Sequence, residues 1–349
     1  MTAARSDWML YGAYGTTGRL ILDEARRRGH TPVLAGRDAA QLEALGRTTG
    51  LVTRRVSIED AAGMRAALSD MRCVLLAAGP YHLTGPAMRR ACLDSRCSYL
   101  DINGELDDFV GAMATDADAR TAGIGLIAGV GYGVVFAECL AGHVKSRLPG
   151  ATSLRLSLAT ETRGRSRAAT RSAAAAMMAG GRDIHLGALR TRPIASPTWE
   201  VLRADGSRLR FAGAPLAELA AVQRSTGILN VTTGIPLSRM AAAAMRVGAP
   251  VLGRILAMTA RTRTPPPAVM PPAAGNEQRS RIWADAEDDA GNHAAGMLET
   301  GEGYRAAAHV AVRAVESQMR DPRVGALTPV QAFGSGFASL APDTHIQEL

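Results

Sequence analysis

The run Gly12-Ala13-Tyr14-Gly15-Thr16-Thr17-Gly18-Arg19 carries the strongest chemical signal in the sequence. Its glycines are spaced G-x-x-G-x-x-G, directly after the apolar run Trp8 to Tyr11 and at the opening of a helical stretch. A strand, a glycine turn and a helix start, in that order, offer an anion backbone N–H donors and the positive end of a helix dipole. Glycine lets the backbone approach a pyrophosphate closely. The chemistry is dinucleotide binding, with Gly12, Tyr14, Gly15, Thr16, Thr17, Gly18 and Arg19 as the cradle.

The end of the second strand in such a unit lies near the adenosine ribose, about 20 residues past the glycines. Here it reads Leu34-Ala35-Gly36-Arg37. An acidic residue there accepts bonds from a free 2′-hydroxyl, whereas an arginine suits a 2′-phosphate, so Gly36 and Arg37 predict NADPH over NADH. Arg19 is a second candidate for that phosphate. Later strand ends on the same edge complete the crevice: Ala77 to His82 after the fourth strand, with Ala78, Gly79 and Pro80 nearest the cofactor, Asp101 to Glu105 after the fifth, with Asp101 and Gly104 as its cofactor candidates, and Gly129 to Gly133 after the sixth. Asp101 is read as orienting its loop through backbone bonds or as a structural turn residue.

Several chemistries are excluded or unsupported. A Tyr-x-x-x-Lys pair needs a lysine four positions after a tyrosine, but the only lysine, Lys145, follows Ala141. There is no Gly-x-Ser-x-Gly elbow. Cys73, Cys92, Cys97 and Cys139 lack the second pair or histidine cluster of a zinc site and read as core residues, so no metal is expected. The formal charge of +8 comes from scattered arginines, and aromatic residues make up 4%, which argues against a nucleic-acid partner. The N-terminal residues lack an apolar signal segment, from which a cytoplasmic location is expected. The uncharged stretch from Thr121 to Ala137 is punctuated by glycines and does not suit a membrane helix.

The elements that must position these residues alternate in the first third. Apolar runs at Trp8 to Tyr11, Thr31 to Ala35, Val52 to Val56, Cys73 to Ala78, Ser98 to Ile102 and Gly123 to Ala128 predict strands. Helical stretches at Thr16 to Arg28, Ala39 to Arg47 and Gly85 to Asp94 lie between them. After Leu148-Pro149-Gly150 the period changes to two, with strands expected at Ser153 to Ala159, Trp199 to Arg203 and Arg208 to Phe211 and a turn at Asp205-Gly206. A further hairpin is expected from Arg281 to Ala286 and Ala294 to Glu299. Met240 to Ala260 reads as an Ala- and Met-rich helix for core or dimer packing, with a membrane surface or an apolar substrate groove as the alternatives. Pro265 to Pro272 reads as a stiff linker, and Tyr304 to Met319 as a helix returning to the first domain. The fold class is α/β: a Rossmann-type parallel-sheet domain of residues 1–130 and 303–349, with an inserted, largely antiparallel α+β domain over 131–302.

With Tyr11 to Arg19, Leu34 to Arg37, Ala77 to Tyr81 and Tyr99 to Glu105 in view, the sequence resembles the saccharopine dehydrogenase-like reductases, and within them the trans-acting enoyl reductases. The similarity continues through Gly129 to Leu140, Trp283, Leu298 to Tyr304 and Gly325 to Pro329. The resemblance implies NADPH-dependent reduction of a carbon–carbon double bond on a polyketide, lipid or specialised-metabolite intermediate, small or carrier-bound. It also implies a departure: the family pattern Gly-Phe-Asp-x-x-Pro-x-Asp reads here Gly131-Tyr132-Gly133-Val134-Val135-Phe136-Ala137-Glu138, without the carboxylate at Gly133 and the proline at Phe136. For enoyl reduction, Tyr81, Tyr132 and His82 are the proton-source candidates. Arg163 and Arg165 are candidates for an anionic acyl or phosphate group, and Glu138 reads as structural. The alternatives are an imine or iminium reductase, and a non-redox NADP-binding protein or cyclase on the same fold. A homodimer is expected.

Overall fold

The computed structural model describes residues 8–160, 179–203, 205–246, 248 and 278–349. The chain divides into two units: Met1–Asn103, Asp107–Tyr132 and Tyr304–Gly334 form the first, and Gly104–Leu106, Gly133–Gly303 and Ser335–Leu349 the second. Ser335–Leu349, expected with the first domain, thus lie in the second unit.

The first unit is built on a seven-stranded parallel sheet. Its strands are β1 (Trp8–Tyr11), β2 (Val33–Gly36), β3 (Thr53–Arg55), β4 (Cys73–Leu76), β5 (Ser98–Asp101), β6 (Gly125–Ile127) and β15 (Gly325–Leu327), in the order β15-β6-β5-β4-β1-β2-β3. β1, β2, β4 and β5 are buried at every position, which explains their near-continuous apolar runs. The connections are α1 (Thr16–Arg27), α2 (Ala39–Thr49), α3 (Ala61–Leu68), α4 (Tyr81–Ser95), α5 (Leu106–Met113) and α6 (Asp116–Ala122). The chain leaves β1 for β2 on one side and reaches β4 on the other. The strand order therefore reverses at β1, where such sheets open a crevice at their carboxyl ends.

The second unit holds a mixed sheet of nine strands. Its spine runs β10 (Thr198–Leu202), β11 (Arg208–Gly213), β12 (Asn230–Pro236), β7 (Ser153–Thr160), β13 (Ser280–Glu287), β14 (His293–Thr300) and β16 (His345–Glu348), and β8 (Gly181–His185) pairs with β12 and β9 (Ala188–Arg192). Most pairings are antiparallel, but β12 and β7 run parallel. Asp205-Gly206 does form the β10–β11 turn, with Gly206 at φ +79° and Arg203 N–H bonded to Ser207 O at 2.8 Å. The helices of this unit include α7 (Tyr132–Arg147), which starts at the unit boundary and is buried from Val134 to Ala141, and α8 (Glu218–Thr226). Strand β7 points Leu154, Leu156 and Leu158 to one face. On the other, Ser157 accepts a 2.7 Å bond from Trp199 Nε1, and Trp199 stacks on Phe211.

The expected helix at Met240 to Ala260 is described only in part. Residues 239–246 and 248 are helical, with Ala242 buried and Met240 exposed, and the rest of the stretch lies outside the described residues. The Pro265 to Pro272 linker and the candidates Arg163 and Arg165 also lie outside them. The last long helix, α9 (Gly303–Arg320), packs within the first unit, where α10 (Pro329–Phe333) follows β15. Among the described residues, no helix is long and apolar enough to cross a membrane.

Candidate cofactor site

The glycine loop sits at the carboxyl end of β1, beside the end of β4. Gly12 has φ +88° and donates its N–H to Ala35 O at 2.8 Å. A side chain there would be strained and would press on Ala77 and Ala78 at 2.9–3.0 Å. Gly15 donates to Gly12 O at 2.9 Å, and its carbonyl accepts from Arg19 N–H at 2.9 Å. A Cβ on Gly18 would fall on the carbonyl oxygen of Gly12, so the glycine lets α1 close directly onto the turn. Gly15 is the N-cap of α1 and gives it no side-chain cap, and the first turn holds no acidic residue. Thr16 and Thr17 therefore open a helix whose first N–H groups face no competing carboxylate, the arrangement an anion needs. These residues fit the pyrophosphate of a dinucleotide.

Tyr14 plays a part the sequence did not reveal. Its ring lies over Gly36, where a Cβ would come within 2.5–3.0 Å of the ring edge and hydroxyl. Its hydroxyl accepts from the backbone N–H groups of Arg37 at 3.2 Å and Asp38 at 3.3 Å. Arg19 donates through Nε to Tyr14 O at 3.1 Å. The loop is thereby fixed to the end of β2. Arg37 is exposed there and makes no ion pair among the described residues. Asp38 caps α2 instead of facing outward: its Oδ1 accepts from Gln41 N–H at 3.1 Å and its Oδ2 from Gln41 Nε2 at 2.9 Å, which hold its pKa below the usual range. The register places exposed Arg55, the last residue of β3, beside Gly36. Its place at the same edge was not legible until β3 was aligned.

The other strand ends supply the remaining walls. Ala77 N–H bonds to Tyr11 O at 2.8 Å, and Ala78 and Gly79 are half-buried ahead of Pro80. Thr84 Oγ1 donates to Ala78 O at 2.7 Å, bracing that turn. Tyr81 is buried at the start of α4, His82 beside it is exposed, and Tyr132 is half-buried at the start of α7.

Asp101, the last residue of β5, orients its own loop through a backbone bond. It is fully buried, and its carboxylate accepts from Tyr99 Oη at 2.5 Å, Asn103 N–H at 2.9 Å and Gly129 N–H at 2.7 Å. Its carbonyl also accepts from Val130 N–H at 2.7 Å. With its oxygens turned inward, it joins the loops after β5 and β6 as a positioning residue. Burial pushes its carboxyl up to about 6, against the lowering effect of the Tyr99 and backbone bonds. Behind it, Asn103 Nδ2 donates to Asp108 at 2.9 Å and Arg89 grips Asp108 through two bonds of 2.7 and 2.9 Å. Burial opposes the Arg89 charge, but the Asp108 bonds hold it firmly protonated. This buried network was missed because its members are scattered along the sequence and meet only through the fold. Gly104 is grouped with the second unit, where its carbonyl accepts from Ala217 N–H at 3.3 Å.

All four cysteines are buried and unbridged. Among the described residues, no three His, Cys, Asp or Glu side chains are grouped to hold a metal ion.

Comparison with known proteins agrees with this geometry. Residues 12–99 match the NAD(P)H-binding family. A probable mitochondrial saccharopine dehydrogenase-like oxidoreductase of Arabidopsis thaliana is 28% identical over 152 residues, which cover 38% of this chain and 33% of that protein. The match thus spans about a third of the relative's length. Two solved structures share the fold across the chain. Saccharopine dehydrogenase (L-Glu forming) from Saccharomyces cerevisiae has a TM-score of 0.61 at 10% identity, covering 98% of this chain and 99% of its own. Homospermidine synthase from Legionella pneumophila, in complex with NAD, has a TM-score of 0.63 at 7% identity, covering 99% and 92%. Residues 12–99 of the first unit are thus similar to an NAD(P)H-binding domain, and the chain has the α/β fold of saccharopine dehydrogenase, in line with its similarity to the saccharopine dehydrogenase-like oxidoreductases.

Proposed function

We propose that this chain is an NADPH-dependent reductase that adds a hydride to an α,β-unsaturated carbonyl of a polyketide, lipid or other specialised-metabolite intermediate. The end of β2 carries the choice of NADPH. Arg37 is exposed and outside any ion pair among the described residues, while the adjacent carboxylate of Asp38 is turned to cap α2. A ribose 2′-phosphate finds a cation here, and a free 2′-diol finds no acidic acceptor. When bound, NADPH supplies the hydride. The chain's own residues hold it: the glycine loop seats the pyrophosphate, Tyr14 fixes the β2 end that presents Arg37, and Asp101 locks the loops after β5 and β6. Tyr81, Tyr132 and His82 are candidates for supplying a proton. The substrate is small or carrier-bound, the assembly a homodimer and the location cytoplasmic in this reading.

A second reading, reduction of a C=N bond, is favoured by the names of the two structural neighbours. One forms L-Glu and the other is a homospermidine synthase, and both products are nitrogen compounds.

The test is a fluorescence titration of wild type and Arg37→Glu with NADPH and NADH. A charge-assisted phosphate contact corresponds to about 10-fold to 100-fold in affinity. Arg37→Glu should weaken NADPH by that factor and leave NADH nearly unchanged; equal loss for both removes Arg37 from the phosphate site. Turnover is then measured with a crotonyl thioester and with 1-pyrroline, which separates C=C from C=N reduction. Failure to bind either nucleotide moves the chain to the non-redox reading.

A further inference from the structure

At the carboxyl edge of the first unit's sheet, β3 brings a second arginine beside the end of β2. Parallel pairing sets Leu34 beside Thr53, Ala35 beside Arg54 and Gly36 beside Arg55. In-register residues of a parallel pair present their side chains to the same face of the sheet, and successive residues to opposite faces. Arg54 is engaged on its own face: it grips the Asp70 carboxylate through bonds of 2.8 and 3.0 Å and also donates to the Ala67 carbonyl. Arg55 emerges on the other face, the one where a Cβ at Gly36 would meet the Tyr14 ring. Arg55 is exposed, and the backbone next to it is pinned: Val56 donates its N–H to Gly36 O at 3.0 Å and its carbonyl accepts from Tyr11 Oη at 3.1 Å.

The Tyr14 hydroxyl stands at the same strand end. Its oxygen accepts from Arg37 N–H at 3.2 Å and Asp38 N–H at 3.3 Å. Two such bonds fill the acceptor capacity of a hydroxyl oxygen and leave its own O–H to donate elsewhere. Most carboxylates of this edge are engaged. Asp38 caps α2, Asp60 caps α3 by accepting from Gly63 N–H at 2.9 Å, and Asp70 holds Arg54. Glu59, exposed in the turn after β3, acts on the Tyr11 hydroxyl with a sign opposite to that of Arg37. An anion bound here therefore meets one carboxylate that a second cation offsets.

We propose that Arg55 and the Tyr14 hydroxyl complete a 2′-phosphate subsite with Arg37, two guanidinium groups and one phenolic donor around a phosphomonoester at the shared end of β2 and β3. This inference rests on the NADPH reading above and adds two residues to it. A phosphomonoester carries close to two negative charges at neutral pH, more than one arginine balances, and guanidinium forks match its oxygens in pairs. Tyr14 donates from a fixed position because the Arg37 and Asp38 N–H groups hold its oxygen. Arg19, the second phosphate candidate of the sequence, instead braces the loop through the Tyr14 carbonyl, and Arg55 takes that role.

Adenosine 2′,5′-bisphosphate and adenosine 5′-monophosphate differ only in the 2′-phosphate. Calorimetric titration of the full chain with both separates this contact from nicotinamide and substrate. Wild type should prefer the bisphosphate by about 100-fold. Arg55→Ala should cut that preference by roughly 10-fold and Tyr14→Phe by roughly 3-fold, with monophosphate affinity changed by less than about twofold. Arg55→Lys, which keeps the charge and loses the fork, should regain part of the preference. An Arg55→Ala protein with the wild-type preference overturns the assignment of Arg55. Equal weakening of both ligands by Tyr14→Phe overturns that of the hydroxyl and leaves Tyr14 as a brace. In either case, an Arg37→Ala variant that loses the preference keeps the NADPH reading standing. A wild type that binds both ligands equally removes that reading and this inference together. If Tyr14→Phe does not fold, the exposed Arg55 carries the decision.

Discussion

Gly18 and Gly104 both belong to the residues the sequence points to around a cofactor, and an added methyl group separates them. At Gly18 the new Cβ would fall on the Gly12 carbonyl oxygen, a backbone atom that cannot retreat without opening the turn. At Gly104 it meets nothing within 4 Å. Gly18→Ala should therefore cost about 1–3 kcal/mol in urea unfolding, as overpacking of a close contact does, and should lose nucleotide binding. Gly104→Ala should stay within about 0.5 kcal/mol of wild type and bind NADPH normally. A Gly18→Ala protein that binds NADPH unchanged would reject the close approach of α1 to the loop. At this scale the sequence displayed residues whose meaning lies in neighbours along the chain, the glycine fingerprint and Gly36-Arg37. It hid those whose meaning lies in distant partners. Glu218 sits in Ala217-Glu218-Leu219-Ala220, which reads as an ordinary helix start, and only the fold brings it against Gly133.

Elements of the first unit were legible because parallel strands buried on both faces must be apolar throughout; Trp8–Tyr11 was bounded to the residue. β8 and β9 were missed for the opposite reason. Gly181–His185 and Ala188–Arg192 form a partly exposed hairpin whose charged residues pair with one another across it, Asp183 with Arg190 and Arg192, so no apolar alternation marks them. The helix start at Tyr81 was missed because Pro86 suggests a boundary, although Pro86 lies in the first turns of α4. Helix α9 was expected, but not what fastens it. Glu316 on α9 accepts from Arg28 at 2.7 and 2.8 Å and pairs with His30 at 2.8 Å, beyond the end of α1, while His309 meets Glu24 at 3.0 Å. Burial works to raise the Glu316 carboxyl, but the Arg28 and His30 bonds pull it down to about 2. A lowered carboxyl contributes stability that is complete above its unfolded value of 4.5 and is lost as pH falls from there toward 2. Glu316→Gln should thus be less stable than wild type at pH 7 by about 1 kcal/mol, after allowing for solvent screening of this partly exposed cluster. The two proteins should converge near pH 2 to 3. A difference that stays constant with pH would mean that packing, not the ion cluster, holds α9.

For the whole molecule, Glu316 and the two buried carboxyls pull in opposite directions with pH. Asp101 and Glu218 are both raised, chiefly by burial, to about 6 and about 7. A raised carboxyl stabilises the folded state in its protonated form. That contribution is complete below the unfolded value and is lost as pH rises through the folded one. The relevant windows run from 3.8 to about 6 for Asp101 and from 4.5 to about 7 for Glu218. On the acid side, the net charge of +8 grows as carboxylates protonate, and self-repulsion adds to the loss of the Glu316 cluster. Thermal stability should therefore peak on the acid side of neutrality and decline toward pH 8. Glu218→Gln keeps the shape of the neutral acid but cannot ionise, so its decline above pH 5 should be shallower than that of wild type. The gap between the two should change in the variant's favour by up to roughly 3 kcal/mol between pH 4.5 and 8, since each pKa unit corresponds to about 1.4 kcal/mol. Calorimetry of both proteins across that range measures it. Parallel curves would show that Glu218 is ionised in the folded chain at all these pH values, and burial would then not be what governs it.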